Sequence, residues 1–414
     1  MNQRTQRSFV KALGLCSLLA LSGSAKATTE LPFRYNARSL AMGGTGVAYV
    51  DDASAIAMNP AGLDRIESWS ATAAMTPFMP RSTAPFAPGV RHSTDQQVIP
   101  LFFAGGAVRV LDRLSTGAAV YVASGFGGNY ENVPEYGGLD MNLELAVFEL
   151  AVPVTYRITD QLAIGAALRA GYTFLKSDMP VNIGGPIPIM RLEQNITGLA
   201  FPGVLAGVRY QPTEDLGFGL TYRSKLTFDL EGDGTATNPL FGGAQPISVK
   251  AEGFATPHSF RLGTAWAAVP QRLLFALDVS YTLFEDSNDE IPVTIDFKQL
   301  ANTRLNQKIV FHWENSLAAL FGAEYMVTDE VAARAGYHIA KMATPESNAD
   351  PLYPPPGLIH TIHLGGGLRF THTRFDVGGA YAIGGADVDN SVNTPPGRFS
   401  GGYVLVGGSF TYLH

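Results

Sequence analysis

Few residues in this chain have the types and spacing that chemistry requires. Gly43, Gly44 and Gly46 form a dense small-residue stretch of the kind that can cradle a phosphate. The Gly-Lys-Ser/Thr of a phosphate-binding loop is missing, and so is the strand–turn–helix setting of a dinucleotide site. We therefore expect no nucleotide there.

Metal and catalytic sites are equally poorly supported. His360 and His363 are three residues apart, which places them on opposite faces of a strand, so they cannot jointly chelate an ion. The acidic clusters at 286–290 and 387–389 lack the full ligand spacing of a calcium loop. No Gly-x-Ser-x-Gly elbow occurs. The sequence predicts no metal, no cofactor and no catalytic residue, and hence not an enzyme.

The first residues indicate export. Basic residues precede a short apolar run at 12–21, and a small-residue cleavage site ends at Ala27. We interpret residues 1–27 as a signal peptide. Cys16, the only cysteine of the chain, lies within it, so the mature protein is expected to have no disulfide.

The charge balance argues against nucleic acid as a partner. The formal net charge of the whole chain is −7. Residues 1–27 carry four basic residues and no acidic one, so their removal leaves −11. A surface that binds phosphates needs an excess of positive charge.

Strand-like alternation dominates the rest of the chain. Between Leu216 and Leu230, apolar residues occupy every even position except Ser224, while glycine, threonine and charged residues occupy the odd ones. Successive side chains of a strand point to opposite faces, so one face is apolar and the other polar. Fourteen such segments are predicted, near 67–78, 98–111, 114–124, 142–157, 161–176, 197–211, 215–230, 247–267, 272–283, 307–326, 331–341, 358–371, 373–383 and 402–413.

The connections between these segments alternate strictly in length. Short turns are predicted at 112–113, 159–160, 212–214, 270–271, 328–330 and 372. Long connections are predicted at 79–97, 125–141, 177–196, 231–246, 284–306, 342–357 and 384–401. A barrel of the outer membrane has short turns on its periplasmic side and long loops outside. The sequence therefore predicts an all-β fold, a 14-stranded antiparallel transmembrane barrel over residues 66–414.

The polar face of the predicted strands carries charges of both signs, which would point into the barrel. We interpret them as an ion-pair network, with a ligand headgroup as the alternative partner for a few. The predicted inward charges are Glu149, Arg157, Arg169, Arg209, Arg223, Lys225, Asp229, Arg261, Asp278, Glu324, Arg334, Arg369, Arg374 and Asp376.

The segment before the barrel resembles a known element. Residues 38–63 read RSLAMGGTGVAYVDDASAIAMNPAGL, which is similar to the hatch of the FadL family of outer-membrane transporters. Gly322-Ala323-Glu324-Tyr325 followed by Arg334-Ala335-Gly336-Tyr337 resembles later strands of that family.

The resemblance implies that residues 28–65 fold inside the barrel as a hatch. The wide lumen of a large barrel must be filled, and this segment has the right size. The candidate hatch residues are Gly43, Gly44, Gly46, Asn59, Pro60 and Ala61. The glycines permit positive φ and close backbone approach. Asn59 could anchor the hatch to the wall or simply form a turn.

The resemblance also implies uptake of hydrophobic molecules such as long-chain fatty acids or aromatic hydrocarbons. Capture by outer loops would be followed by entry into the lumen, a shift of the hatch and lateral exit at a kinked third strand. Gly117 and Gly125 permit such a kink without requiring it.

Two outer connections are unusually apolar and form the candidate capture surface. The alternative is that these loops pack on one another. The candidate residues are Val181, Ile183, Ile187, Ile189, Met190, Leu240 and Phe241.

We thus predict a passive transporter of hydrophobic compounds in the outer membrane of a Gram-negative bacterium. The alternative is a diffusion porin for small polar solutes. The expected partners are a hydrophobic ligand, outer-membrane lipids with lipopolysaccharide, and the barrel-assembly machinery, which would recognise Phe410 and Tyr412 in the last strand. We expect a monomer.

Overall fold

The strands form one closed antiparallel sheet. The structure is a computed structural model that describes residues 35–182, 189–238, 243–287, 289–299 and 303–414. The first strand pairs with the last, from Ser70 opposite Leu413 to Thr83 opposite Ser400, and this pairing closes the cylinder. The predicted signal peptide and the first residues of the predicted hatch, 28–34, lie outside the described residues.

The described residues contain nineteen strands in one sheet. They are β1 (Trp69–Ala87), β2 (Val90–Ser93), β3 (Ile99–Leu111), β4 (Leu114–Val133), β5 (Leu139–Arg157), β6 (Leu162–Asn182), β7 (Ile189–Tyr210), β8 (Leu216–Arg223), β9 (Leu226–Asn238), β10 (Gly243–Thr256), β11 (His258–Val269), β12 (Leu273–Leu283), β13 (Glu290–Phe297), β14 (Arg304–Val310), β15 (Ser316–Met326), β16 (Val331–Lys341), β17 (Leu358–Arg369), β18 (Thr373–Val388) and β19 (Gly397–Leu413).

These strands build a barrel with fourteen staves, which confirms the predicted fold. β8 continues into β9 and β10 into β11, so each pair is one stave. β2, β13 and β14 lie in hairpins at the outer end. The alternation expected of a membrane wall is plain in β12, where Phe275 and Val279 are exposed while Ala276 and Asp278 are buried.

The long outer connections were predicted as loops, and this was wrong for most of their length. The predicted connection 125–141 is largely strand, because β4 runs to Val133 and β5 begins at Leu139. The predicted connection 284–306 contains all of β13. Continued pairing satisfies backbone groups that would otherwise need other partners, so the hairpins extend well beyond the barrel wall.

The segment 215–230 was predicted as one regular strand with a single apolar face, and this was also wrong. Phe218 and Leu220 are exposed, whereas Phe228 and Leu230 are buried, although all four have even numbers. The phase reverses at Ser224-Lys225, between β8 and β9. As a result Asp229, predicted to point inward, is exposed.

A similar break divides the predicted strand 247–267. Pro257 separates β10 from β11, and a proline has no N–H to donate to the ladder. Gly253 has a φ of +81° beside a register shift between Ala251 and Phe254. The two neighbouring staves are therefore interrupted side by side.

The described part of the hatch, residues 35–65, lies inside the barrel and is almost entirely buried. It contains two short helices, Ala37–Ala41 and Ala55–Met58, and the 3₁₀ helix Pro60–Arg65. Two further 3₁₀ turns, Pro134–Tyr136 and Glu346–Asn348, lie in outer connections. Within the described residues, every helix is too short or too polar to cross a membrane.

The fit between the hatch and the wall yields a test at two glycines. A Cβ at Gly219 would collide with the carbonyl of Val47 in the hatch, whereas at Gly408 the nearest atom is 3.8 Å away. We expect Gly219→Val to destabilise the protein by about 1–3 kcal/mol through overpacking. The exposed Gly408→Val should have little effect. The stability of each variant can be measured as the temperature above which the folded barrel no longer migrates faster than the unfolded chain in a gel. Equal temperatures for the two variants would contradict this packing.

Candidate functional site

The glycine-rich part of the hatch makes a tight turn against the barrel wall. Gly43 and Gly44 have φ angles of +72° and +86°, a region that favours glycine. A side chain at Gly43 would collide with the Phe321 carbonyl of β15, and one at Gly46 with the Met58 side chain. The sequence expectation of positive φ and close approach thus describes the geometry at these glycines.

Asn59 connects three backbone segments. Its side-chain N–H donates to the carbonyls of Val47, at 2.7 Å, and Val208 of β7, at 3.1 Å. Its Oδ1 accepts from the N–H of Ala61 at 3.1 Å. The Pro60 carbonyl accepts from the Thr155 hydroxyl of β5 at 2.6 Å. The Asn-Pro-Ala step therefore lies against β5–β7 and is more than a local turn.

One ion-pair network joins the hatch to the far wall. Arg38 of the hatch lies 2.8 Å from Glu324, which also accepts from Arg334 at 2.6 Å. Arg374 contacts the hatch carboxylates Asp51, at 3.0 Å, and Asp52. With Asp376 and Arg369 included, four arginines face four carboxylates. The network is formally neutral, as a buried set of charges must be to avoid a large desolvation cost.

Three further buried carboxylates hold neighbouring parts of the bore. Asp64 of the hatch pairs with Arg209. Glu149 pairs with Arg169 at 2.9 Å and Arg223 at 2.5 Å. Asp278 accepts from the N–H of Gly46 at 3.0 Å. These contacts agree with the ion-pair interpretation of the predicted inward charges.

An apolar cavity lies above the hatch, and we call it the upper chamber. It is bounded by β1, β4 and β17–β19 and covered by the connection between β16 and β17. Its lining residues are Phe78, Pro80, Ser82, Gly127, Met342, Tyr353, Pro354, Pro355, Ile359, Gly384, Gly385, Gly401, Gly402 and Tyr403. None of these lining residues is charged.

The upper chamber was not predicted from the sequence. Its signals were the doublets Gly384-Gly385 and Gly401-Gly402, which leave the inner wall without side chains, and Pro354-Pro355 in the cover. Glycine inside a strand often marks a close approach of another group. The doublets lie on adjacent strands, but only the register shows that Gly384 pairs with Gly401.

A second cavity, which we call the lower chamber, lies between the hatch and β7–β12 and is more polar. Its lining residues are Tyr35, Ala57, Met58, Ala123, Ser124, Leu205, Thr221, Arg223, Thr256, Pro257, Ser259, Arg261 and Ser280. Both chambers reach β4, the upper one at Gly127 and the lower one at Ala123-Ser124. The same short stretch of β4 therefore borders both cavities.

Along that stretch, β4 is not paired with its neighbour β3. Regular pairing ends where Phe103 faces Tyr121, and contact resumes where the Asp95 N–H donates to the Asn129 carbonyl at 3.1 Å. Between them, residues 96–102 and 122–128 form no ladder pairs with each other. We call this opening in the ladder the first window.

The two glycines proposed for the third strand differ in their positions. Gly117 lies in regular pairing opposite Ala107, below the first window. Gly125 lies within the window stretch and pairs only on its other side, with Ala146 of β5. A register shift between Val122 and Ser124 accompanies the departure. Of the pair, Gly125 is the one at the interruption.

Only three of the predicted capture residues belong to the described part of the chain. The other four lie outside it: Ile183, Ile187, Leu240 and Phe241. Met190 is fully buried and faces Val181 in the β6–β7 hairpin, where Val181 packs on the apolar core. Ile189 is half-buried. Val181 and Met190 therefore pack within the outer apolar layer, and a ligand would reach them only through that layer.

An aromatic cluster forms part of this outer layer. Trp313 packs edge-on against Phe126, with ring centroids 5.3 Å apart, and against Phe284 at 5.6 Å. Tyr353, which covers the upper chamber, packs on Phe311 at 5.0 Å. Nearby, burial raises the pKa of Asp350 to about 6, so this cover can take up a proton in mildly acidic water.

Comparison with known proteins places the chain in a family. Residues 18–398 match the sequence profile of the family described as outer membrane protein transport protein (OMPP1/FadL/TodX). No curated protein sequence matches the chain.

Solved structures share the fold. A Pseudomonas aeruginosa FadL homologue is 18% identical with a TM-score of 0.75, covering 94% of this chain and 99% of its own. The Pseudomonas putida toluene transporter TodX is 19% identical with a TM-score of 0.75 and the same two coverages. The Ralstonia pickettii toluene transporter TbuX is 18% identical with a TM-score of 0.75, covering 92% and 98%.

The ion-pair network predicts unequal effects for two glutamates. Glu324→Ala would leave four arginines facing three carboxylates, with only Asp51 left for Arg38 and Asp376 for Arg334, at a cost of about 3–5 kcal/mol. Glu290→Ala removes an exposed pair with Lys308, which solvent screens, so we expect little change in stability. Urea unfolding of the two variants in detergent measures the difference. A loss of similar size at both positions would contradict the network's structural role.

Proposed function

The chain belongs to the outer membrane protein transport family that includes OMPP1, FadL and TodX, and we propose that it carries hydrophobic small molecules out of the external medium and into the membrane through the side of its barrel. The family and the barrel place it in the outer membrane of Gram-negative bacteria. The observation that carries the proposal is a chamber without charged lining residues, next to an open ladder.

The upper chamber supports an apolar cargo. Phe78 and Tyr403 lie with their rings 5.2 Å apart, and prolines and methionine complete the lining. Transfer of apolar surface from water to such a site is favourable by about 25 cal/mol per Å². Partitioning can therefore drive entry without ATP. A lining of this chemistry suits both a fatty-acid chain and an aromatic hydrocarbon.

The first window supports lateral exit. Both chambers border the part of β4 that is not paired with β3, so cargo leaving there would pass through the wall and not along the axis. The hatch is held by ion pairs and backbone contacts on several sides. We therefore propose that the hatch stays seated during transport and that the shift of the hatch expected from the family resemblance is not needed.

A diffusion porin for small polar solutes is not favoured. Such a protein needs a water-filled lumen of charged and polar walls. Here the described hatch residues pair with the inward charges of the wall, and an apolar layer lies above them.

Further partners follow from the location of the barrel in the outer membrane. We propose that the chain acts as a monomer in contact with lipids and lipopolysaccharide, and that the barrel-assembly machinery reads the exposed Phe410 and its neighbour Tyr412 on β19. Tyr412 stacks on Trp69 of β1 at 4.5 Å, across the seam that closes the barrel. Consistent with the transport family, we propose no catalytic role and no cofactor.

Adjacent residues of β1 offer a matched test of the upper chamber. Ser82 lines the chamber, whereas Thr83 turns away and bonds with the Ser93 hydroxyl at 2.8 Å. A tryptophan at Ser82 would fill the cavity, so we expect Ser82→Trp to slow uptake of toluene and of a long-chain fatty acid at least tenfold. Thr83→Trp should behave like the unmodified protein. The rate of uptake by cells expressing each variant is the measurement. Unchanged uptake of both cargoes by Ser82→Trp would show that cargo does not pass through the upper chamber.

The first window can be tested by bridging its edges. Phe102 and Val122 would face each other if the β3–β4 register continued across it. We expect a bis-maleimide bridge between cysteines at these positions to reduce uptake at least fivefold, because β4 can then no longer move away from β3. The control is a bridge between Gly106→Cys and Ala118→Cys, which already pair below the window. Normal uptake with the window bridged would argue for another exit.

A further inference from the structure

The barrel wall has a second interruption, between β7 and the stave formed by β8 and β9. Leu205 pairs with Arg223 below it, and Thr197 pairs with Glu231 above it. Residues 198–203 and 225–230, all within the described chain, form no ladder pairs with each other. The register is the same on both sides, so the two strands separate and rejoin without a net shift. We call this interruption the second window.

Local contacts account for the separation. The last contact below the break joins Val204 and Ser224: the Ser224 N–H donates to the Val204 carbonyl and the Val204 N–H donates to the Ser224 hydroxyl, both at 2.8 Å. Pro202, two residues before Val204 in β7, has no N–H to donate to a ladder. On the neighbouring stave, Pro257 interrupts the ladder at the same level. The break therefore begins where two neighbouring strands each carry a proline.

Apolar side chains close the second window where hydrogen bonds do not. Leu226, Phe228 and Leu230 turn inward and pack on glycines of β6 and β7. A Cβ at Gly203 would lie 2.8 Å from the Leu226 side chain, and a Cβ at Gly171 would lie 2.7 Å from the Phe228 ring. The glycines leave room for these side chains only because they have none of their own.

The outer side of the second window is unusually apolar. Leu199 is 78% exposed and Phe201 is 69% exposed, so both project from the wall. Leu199 faces Tyr172 of β6, and Tyr222 lies just below the break, stacked near Phe260. Aromatic residues of this kind mark the boundary between membrane and water in a barrel. The window therefore opens at the edge of the outer leaflet.

The inner side of the second window is the lower chamber. Leu205 and Arg223, which pair just below the break, and Pro257 of the neighbouring stave all line that chamber. The side chains of Leu226 and Phe228 pack across the break, and at its upper end Gly198 lies against the Asp229 carbonyl. In a regular wall of this length, opening would break roughly six backbone hydrogen bonds.

We propose that the second window is a further membrane-facing portal, through which uncharged lipophilic molecules dissolved in the outer leaflet reach the lower chamber when Leu226 and Phe228 swing aside. Its use as an entry for cargo rests on the proposed transport function, whereas the opening itself does not. The protein would then have two lateral passages on different parts of its wall, one at β3–β4 and one at β7–β9.

The portal can be tested without any cargo. Ser280 lines the lower chamber on β12, away from the window, and Ser280→Cys gives a nearly isosteric reporter. In liposomes, its labelling would be followed with pyrenylmaleimide dissolved in the bilayer and, separately, with a sulfonated maleimide in water. We expect Leu226→Ala/Phe228→Ala to raise the rate of labelling from the bilayer at least tenfold and to change the rate from water less than twofold.

The matched control removes similar volume elsewhere in the same apolar cluster. Ile247 and Phe297 pair between β10 and β13, away from the window, so Ile247→Ala/Phe297→Ala should leave both rates near those of the reporter protein. The single variant Phe228→Ala, with a smaller rise expected, serves if the double variant does not fold. No rise from the bilayer, an equal rise in the control, or a parallel rise from water would each overturn the portal. Because no cargo is used, such a result would leave the proposed transport function to be judged separately by uptake.

Discussion

The structure depends on one constraint: a barrel of fourteen staves encloses more space than its own side chains can fill. The hatch occupies that space, and its charges match those of the wall. Arg38 with Glu324 and Asp52 with Arg374 each join a hatch residue to the barrel. Removing one residue of either pair would leave the other as an unpaired, desolvated charge in the bore. The hatch and the barrel therefore specify each other, and the axis of the barrel is closed.

Because the axis of the barrel is closed, the interruptions in the wall become important for transport. At both windows two neighbouring strands part, and at the second they rejoin in the same register. At the first window the displaced strand borders both chambers, and at the second window apolar side chains stand where hydrogen bonds would be. A membrane barrel normally satisfies every backbone group within its wall, so each departure has to be compensated by side chains and by neighbouring strands.

Much of this architecture could be predicted from the sequence because alternation with period two and the alternating lengths of connections are local signals. The hatch was predicted from a short contiguous run containing Gly43, Gly44 and Asn59, although Gly43 and Asn59 lie against the barrel wall. Other features could not be read in this way. The phase reversal at Ser224-Lys225 preserves the even spacing of apolar residues, and a burial change alone reveals it. The upper chamber depends on the register that brings Gly384 beside Gly401, which is a long-range pairing.

The central claim is that cargo leaves through the wall while the hatch stays in place. The Ala37 N–H of the hatch donates to the Ser409 hydroxyl of β19 at 3.0 Å, so cysteines at these two positions are within reach of a disulfide with little change in volume. Uptake of a hydrophobic compound by the oxidised Ala37→Cys/Ser409→Cys protein, compared with the same protein after reduction, is the most direct measurement. The account predicts equal rates in the two states. Loss of uptake on oxidation with recovery on reduction would show that the hatch must move, and would contradict it.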